Sequence, residues 1–158
     1  MTEYIVLIVL TFISAIWDLK YKKIPNMIVF SGMAIGLVFS TEKGLVLEHL
    51  MGLGILFGVS FLVYSLLRHL IGMGDMKLLM MCEAFMGLIP AFYIFMLSQI
   101  LLLLYVLIKG KRKQVWSGLK SIAFYRTMPV GSEKYSLGIF FLAATCIYLG
   151  CVLWKGAL

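Results

Sequence analysis

The sequence predicts an all-α polytopic membrane protein, a bundle of six transmembrane helices forming one domain over residues 1–158. Composition points there first: 63% of the residues are hydrophobic and 13% charged, and a mean hydropathy of +1.04 lies far outside the range of soluble proteins. The second observation is grouping, because the apolar residues fall into runs long enough to cross a hydrocarbon core of about 30 Å. The third is charge placement. The net charge of +7 comes from Lys and Arg gathered in short connections between apolar runs, which is the signature of membrane topology and not of a nucleic-acid surface.

The first run extends from Glu3 to about Trp17 and has neither a basic n-region before it nor an A-x-A site after it, so it reads as a structural helix instead of a removed signal peptide. The connection Asp18-Leu-Lys-Tyr-Lys-Lys-Ile-Pro-Asn26 holds three lysines and is assigned to the cytoplasm. Pro25 suits the first turn of the second helix, where a missing N–H costs nothing, and that run continues to about Ser40. The turn Thr41–Gly44 carries little net charge and is assigned outside.

A third run, Leu45 to about Leu70, returns to the cytoplasm at Arg68-His69. A fourth opens at Gly72-Met-Gly-Asp-Met-Lys77 and reaches about Ile89; a fifth follows from Pro90, placed in a tight outer turn, to Ile108. Lys109 to Arg126 holds six Lys or Arg and no acid. Within it, Val115–Tyr125 is either an amphipathic helix along the interface or a plain cytoplasmic loop. The last run extends from about Tyr135 to Trp154. Six crossings put both termini outside and twelve of the fourteen basic residues inside, leaving Lys43 and Lys155 outside.

Gly32 with Gly36, and Gly54 with Gly58, have the small-xxx-small spacing that lets membrane helices pack closely. Cys82, Cys146 and Cys151 lie in apolar runs without a CxxC pair, so neither a zinc knuckle nor a disulfide framework is expected. His49 and His69 fall on opposite sides of the membrane and read as interfacial polar residues, with no HExxH motif, no GxSxG elbow and no phosphate-binding loop. No metal or cofactor is expected.

The chain contains two aspartates, Asp18 and Asp75, and the topology brings both to the cytoplasmic edge. A boundary carboxylate can be no more than a hydrated charge paired with Lys20, Lys22 or Lys77. The surroundings of these two argue for more. Gly72 and Gly74 bracket Asp75, which permits backbone conformations and close approaches barred to other residues.

Gly72-Met-Gly-Asp-Met-Lys77, continued by Leu-Leu, resembles the GxGD signature of the type IV prepilin peptidases, and Asp18 followed by Ile24-Pro25-Asn26 resembles that family's first motif. Met128-Pro129-Val-Gly131 is a looser echo of a later Pro-x-Gly element. The resemblance covers nearly the whole chain. It implies an aspartyl endopeptidase that removes the short basic cytoplasmic leader of prepilins or pilin-like precursors, with Asp18 and Asp75 as the catalytic pair. It further implies membrane-inserted precursors as partners in the lipid bilayer of a bacterial inner membrane. Members that also methylate the new N-terminus carry an additional CxxC-bearing portion; this chain begins at the first peptidase helix and is expected to cleave without methylating.

Two carboxylates suit peptide hydrolysis, since one ionised group activates water while one protonated group polarises the carbonyl and later protonates the leaving amine. Helix polarity suggests an assignment: Asp18 at a helix C-terminus as the acid, Asp75 at a helix N-terminus as the base. Glu83 stands where the family commonly has a small residue and is expected to hydrogen-bond a neighbouring helix instead of taking part in catalysis. Glu133 is the further acid on the cytoplasmic side and a candidate contact for a basic leader. Two other classes compete: a small proton-coupled transporter or channel component using Asp18, Asp75 and Glu83 as a relay, and a non-catalytic subunit of a pilus or secretion assembly. The choice of pilin-type substrate and the oligomeric state are not encoded in these motifs.

Overall fold

A computed structural model of the protein describes residues 2–66, 73–109 and 136–156. Among them are six helices and no strand: α1 (Thr2–Tyr21), α2 (Asn26–Glu42), α3 (Val46–Leu66), α4 (Met73–Met86), α5 (Leu88–Ile108) and α6 (Leu137–Gly156). The all-α expectation is met. Three of the helices, α1, α5 and α6 through Trp154, are long and apolar enough to cross a membrane, which marks a membrane protein. Shorter apolar stretches come from α2 and from Val46–Leu62 of α3, so length and composition alone support three clear spans, not the expected six.

The departure is greatest at α4. Its 14 residues extend only about 21 Å at 1.5 Å per residue, and they include Asp75, Lys77 and Glu83. Yet every residue from Leu78 to Phe85 is buried, because α4 is enclosed by α1, α2, α3 and α5. A helix buried on all sides needs no lipid-facing stripe. Around it, Leu7, Leu78, Met81, Ile94 and Phe141 form the centre of the core, with α6 packed on α1 and α5. The outward faces remain apolar: Ile5, Phe12, Phe57, Phe61, Ile89 and Tyr93 are all exposed. Such a surface would drive association in water and is the ordinary solvent contact in lipid.

Glycine sets the approach of α2 to α4. A Cβ on Gly36 would stand 2.8 Å from the Ala84 backbone carbonyl carbon, and one on Gly32 would stand 2.6 Å from Met81 Sδ. Gly54 and Gly58 differ, since no described atom lies within 4 Å of a Cβ built on either. The packing expectation therefore holds for the first glycine pair, while among the described residues the second pair has no helix packed against it.

Three boundaries move from their expected places. Helix α1 continues past Trp17 to Tyr21, which puts Asp18 inside its last turn; Lys22, at φ 53°, then ends it with its N–H on the Asp18 carbonyl at 2.9 Å. Pro25 precedes α2 in extended conformation (ψ 135°) instead of lying in its first turn. Between α4 and α5 the chain turns at Gly87, at φ 85°, a left-handed conformation that glycine adopts without strain. Pro90 consequently sits in the first turn of α5, where no intrahelical N–H bond is lost. At the end of α2, Gly44 at φ 70° closes the helix, with Leu45 N–H on the Ser40 carbonyl at 3.0 Å and Gly44 N–H on that of Thr41 at 3.1 Å.

Candidate active site

The two motif aspartates occupy the same end of the bundle, Asp18 in the last turn of α1 and Asp75 in the first turn of α4. Contacts between the two motifs hold them there. The Ile24 side chain lies against Gly74, where an added Cβ would be 3.3 Å from Ile24 Cδ1. Lys77 Nζ donates to Asn26 Oδ1 at 2.6 Å. Pro25 carries the chain in extended form between these two docking points. The motif residues that flank the aspartates thus have a physical role, in which glycine admits the isoleucine and lysine meets the asparagine. Asp75 is half-buried in the first turn of α4.

Asp18 has a more enclosed setting, at 8% exposure. Its Oδ2 accepts two hydrogen bonds from the start of α6, one from Ser136 Oγ at 2.6 Å and one from the Gly138 N–H at 2.9 Å. Gly138 is what permits this approach: a Cβ there would lie 3.1 Å from Ala15 Cα and 3.1 Å from Asp18 Cβ. Neither Ser136 nor Gly138 is singled out by the motif reading. The local signal is a serine at the head of an apolar run, a common helix-start pattern; nothing in it names a partner 118 residues away.

Glu83 departs from expectation. Its side chain is fully buried, but among the described residues neither carboxylate oxygen has a hydrogen-bond partner, so no described residue of a neighbouring helix makes the expected bond to the side chain. The carboxyl group instead fills the space left by Gly52 on α3. The backbone of Glu83 makes the link: its carbonyl accepts from His49 Nδ1 at 2.9 Å and from the Gly87 N–H at 2.8 Å. His49 is therefore a buried strut between α3 and the α4–α5 turn, at 5% exposure. This cluster lies at the end of the bundle away from the aspartates, as does the ion pair of Glu3 with Lys43.

Gly72, Pro129, Gly131 and Glu133 lie outside the described residues, as do His69 and Val115–Tyr125. Of the cysteines, Cys82 is buried while Cys146 and Cys151 are exposed, and all three are free thiols.

No curated protein and no solved structure matches the chain. A family model does, over residues 5–107, a stretch that runs from α1 nearly to the end of α5 and includes Asp18, Ile24, Pro25, Asn26, Asp75 and Lys77. Its description is the type IV leader peptidase family. With more than half of its length matched, and with the Asp18 and Asp75 motifs docked on each other inside the matched region, the chain belongs to the type IV leader peptidase family.

Proposed function

We propose that the protein is an aspartyl endopeptidase that removes the short basic leader of prepilins or pilin-like precursors, with Asp18 and Asp75 as its catalytic pair. The observation that carries this reading is the convergence of two separate motifs at one end of the bundle, through the Ile24–Gly74 contact and the Lys77–Asn26 hydrogen bond. The cluster of Lys20, Lys22 and Lys23 beside Asp18 assigns that end to the cytoplasmic side of an inner membrane, with six crossings and both termini outside. The precursor's own apolar helix lies in the same bilayer, which delivers the leader to the site at fixed depth.

Hydrolysis then follows from the pair and water. The ionised carboxylate takes a proton from water as its oxygen bonds to the scissile carbonyl carbon, while the protonated carboxylic acid donates a hydrogen bond to the carbonyl oxygen. Collapse of the tetrahedral intermediate breaks the C–N bond, and the leaving amine receives a proton from the pair. Glu133 provides an acidic contact for a basic leader.

The test is co-expression with a prepilin, followed by detection of the leader-cleaved product. Wild type is expected to yield mature pilin, and Asp18→Asn and Asp75→Asn are each expected to yield precursor only. Cleavage that survives both substitutions would falsify the reading.

A further inference from the structure

We propose that Ser136 is a positioning residue for Asp18, holding it as the proton-accepting carboxylate of the pair and so making Asp75 the partner that carries the proton. This rests on the aspartyl peptidase reading and adds to it a residue and a division of roles. Helix polarity read from the sequence gives the opposite division, because it counts for each aspartate only the helix on which that aspartate resides. The start of α6 outweighs it. Ser136 Oγ and the Gly138 N–H both donate to Oδ2 of Asp18, at 2.6 Å and 2.9 Å, and both are at the N-terminus of a 20-residue helix, where the backbone dipole favours negative charge.

An oxygen that accepts two hydrogen bonds is best satisfied when it carries charge, and charge-assisted bonds of this kind are about twice as strong as neutral ones. Both bonds end on the same oxygen, Oδ2. Burial of Asp18, Ser136 and Gly138 together keeps bulk solvent from competing for the donors. Asp75 has a different setting, half-buried in the first turn of α4. Ser136 lies beyond the residues matched by the family model, so the support for Asp18 comes from the part of the chain that the two motifs do not include.

A serine at a helix start can also serve the helix alone, so the test separates the two roles. With purified enzyme and a prepilin substrate, Ser136→Ala is expected to lower kcat by roughly 10- to 100-fold, the rate equivalent of one lost hydrogen bond to a charged group, with KM unchanged. Ser136→Thr, which keeps the hydroxyl, is expected to retain kcat within a few-fold. Ser136→Gly removes the hydroxyl while remaining a good helix-start residue, so it is expected to lose kcat as Ser136→Ala does even if the alanine variant is poorly folded. The proposal is overturned if Ser136→Gly keeps wild-type kcat, if Ser136→Thr is as slow as Ser136→Ala, or if the loss falls in KM. Failure of the parent reading looks different: there, wild type does not cleave, or Asp18→Asn cleaves as wild type does.

Discussion

Asp18 and Glu83 are both buried acids, at 8% and 0% exposure, but their surroundings are opposite. Asp18 directs one oxygen at two donors from α6. Among the described residues neither oxygen of Glu83 has a hydrogen-bond partner, and its carboxyl group rests in the gap left by Gly52. Burial alone therefore does not distinguish these two acids; the donors around them do. A buried polar group without a partner costs about 1–3 kcal/mol. The links at this position come from the backbone, whose carbonyl ties α4 to His49 of α3 and to the Gly87 turn whatever the side chain. At Asp18 the packing is organised around the carboxylate itself, down to a glycine that makes room for it.

The same acid-to-amide change at the two positions gives the largest expected contrast. Asp18→Asn is expected to slow leader cleavage by at least about 100-fold, the scale of a lost general acid or base, whereas Glu83→Gln should stay within a few-fold. Initial rates on one prepilin substrate measure both. Equal inactivation would dissolve the comparison and bring Glu83 into the mechanism.

Methyl groups added at the two neighbouring glycines come next. Gly138→Ala and Gly52→Ala are each expected to lower stability by about 1–3 kcal/mol through overpacking, read from thermal unfolding in detergent. They differ in what relieves them. At Gly52 the obstruction is the Glu83 side chain, so Glu83→Ala should rescue Gly52→Ala with a coupling of about 0.5–3 kcal/mol. At Gly138 part of the obstruction is the Ala15 backbone, and removing the Asp18 side chain should leave most of the loss in place. Additive behaviour at Gly52 would show that Glu83 does not fill that gap.

The smallest effect belongs to the contact between Lys77 and the exposed Asn26. Asn26→Ala is expected to reduce cleavage by no more than about tenfold, since the bond is exposed and water competes for its charged lysine donor, which holds its contribution to about 0.5–1.5 kcal/mol. A total loss would move Asn26 from support into the reacting centre.

Much of this architecture is legible in the sequence, and the gaps have physical causes. Apolar run length fixes helices α1, α5 and α6, and the spacing of Asp18 from Ile24-Pro25-Asn26 identifies the stretch of chain that docks on Gly74. The end of α4 is misread because Pro90 looks like the break, although proline is tolerated in a first turn and Gly87 is the residue that turns the chain. Ser136 and Gly138 escape notice because hydrogen bonding across 118 residues leaves no local pattern. Glu83 is misassigned because a sequence shows that an acid is present in an apolar run, but not whether a donor faces it.

A cross-link tests most directly whether the Asp18 and Asp75 motifs close on each other into one site. Ile24 Cβ lies 4.0 Å from the position of a Cβ on Gly74, inside the range of about 3.5–4.5 Å that a disulfide spans. With Cys82, Cys146 and Cys151 replaced, the Ile24→Cys/Gly74→Cys protein should form an intramolecular disulfide on mild oxidation in native membranes, seen by mass spectrometry as one linked peptide pair. Two free thiols that both react with a water-soluble maleimide, with no linked pair, would contradict the account.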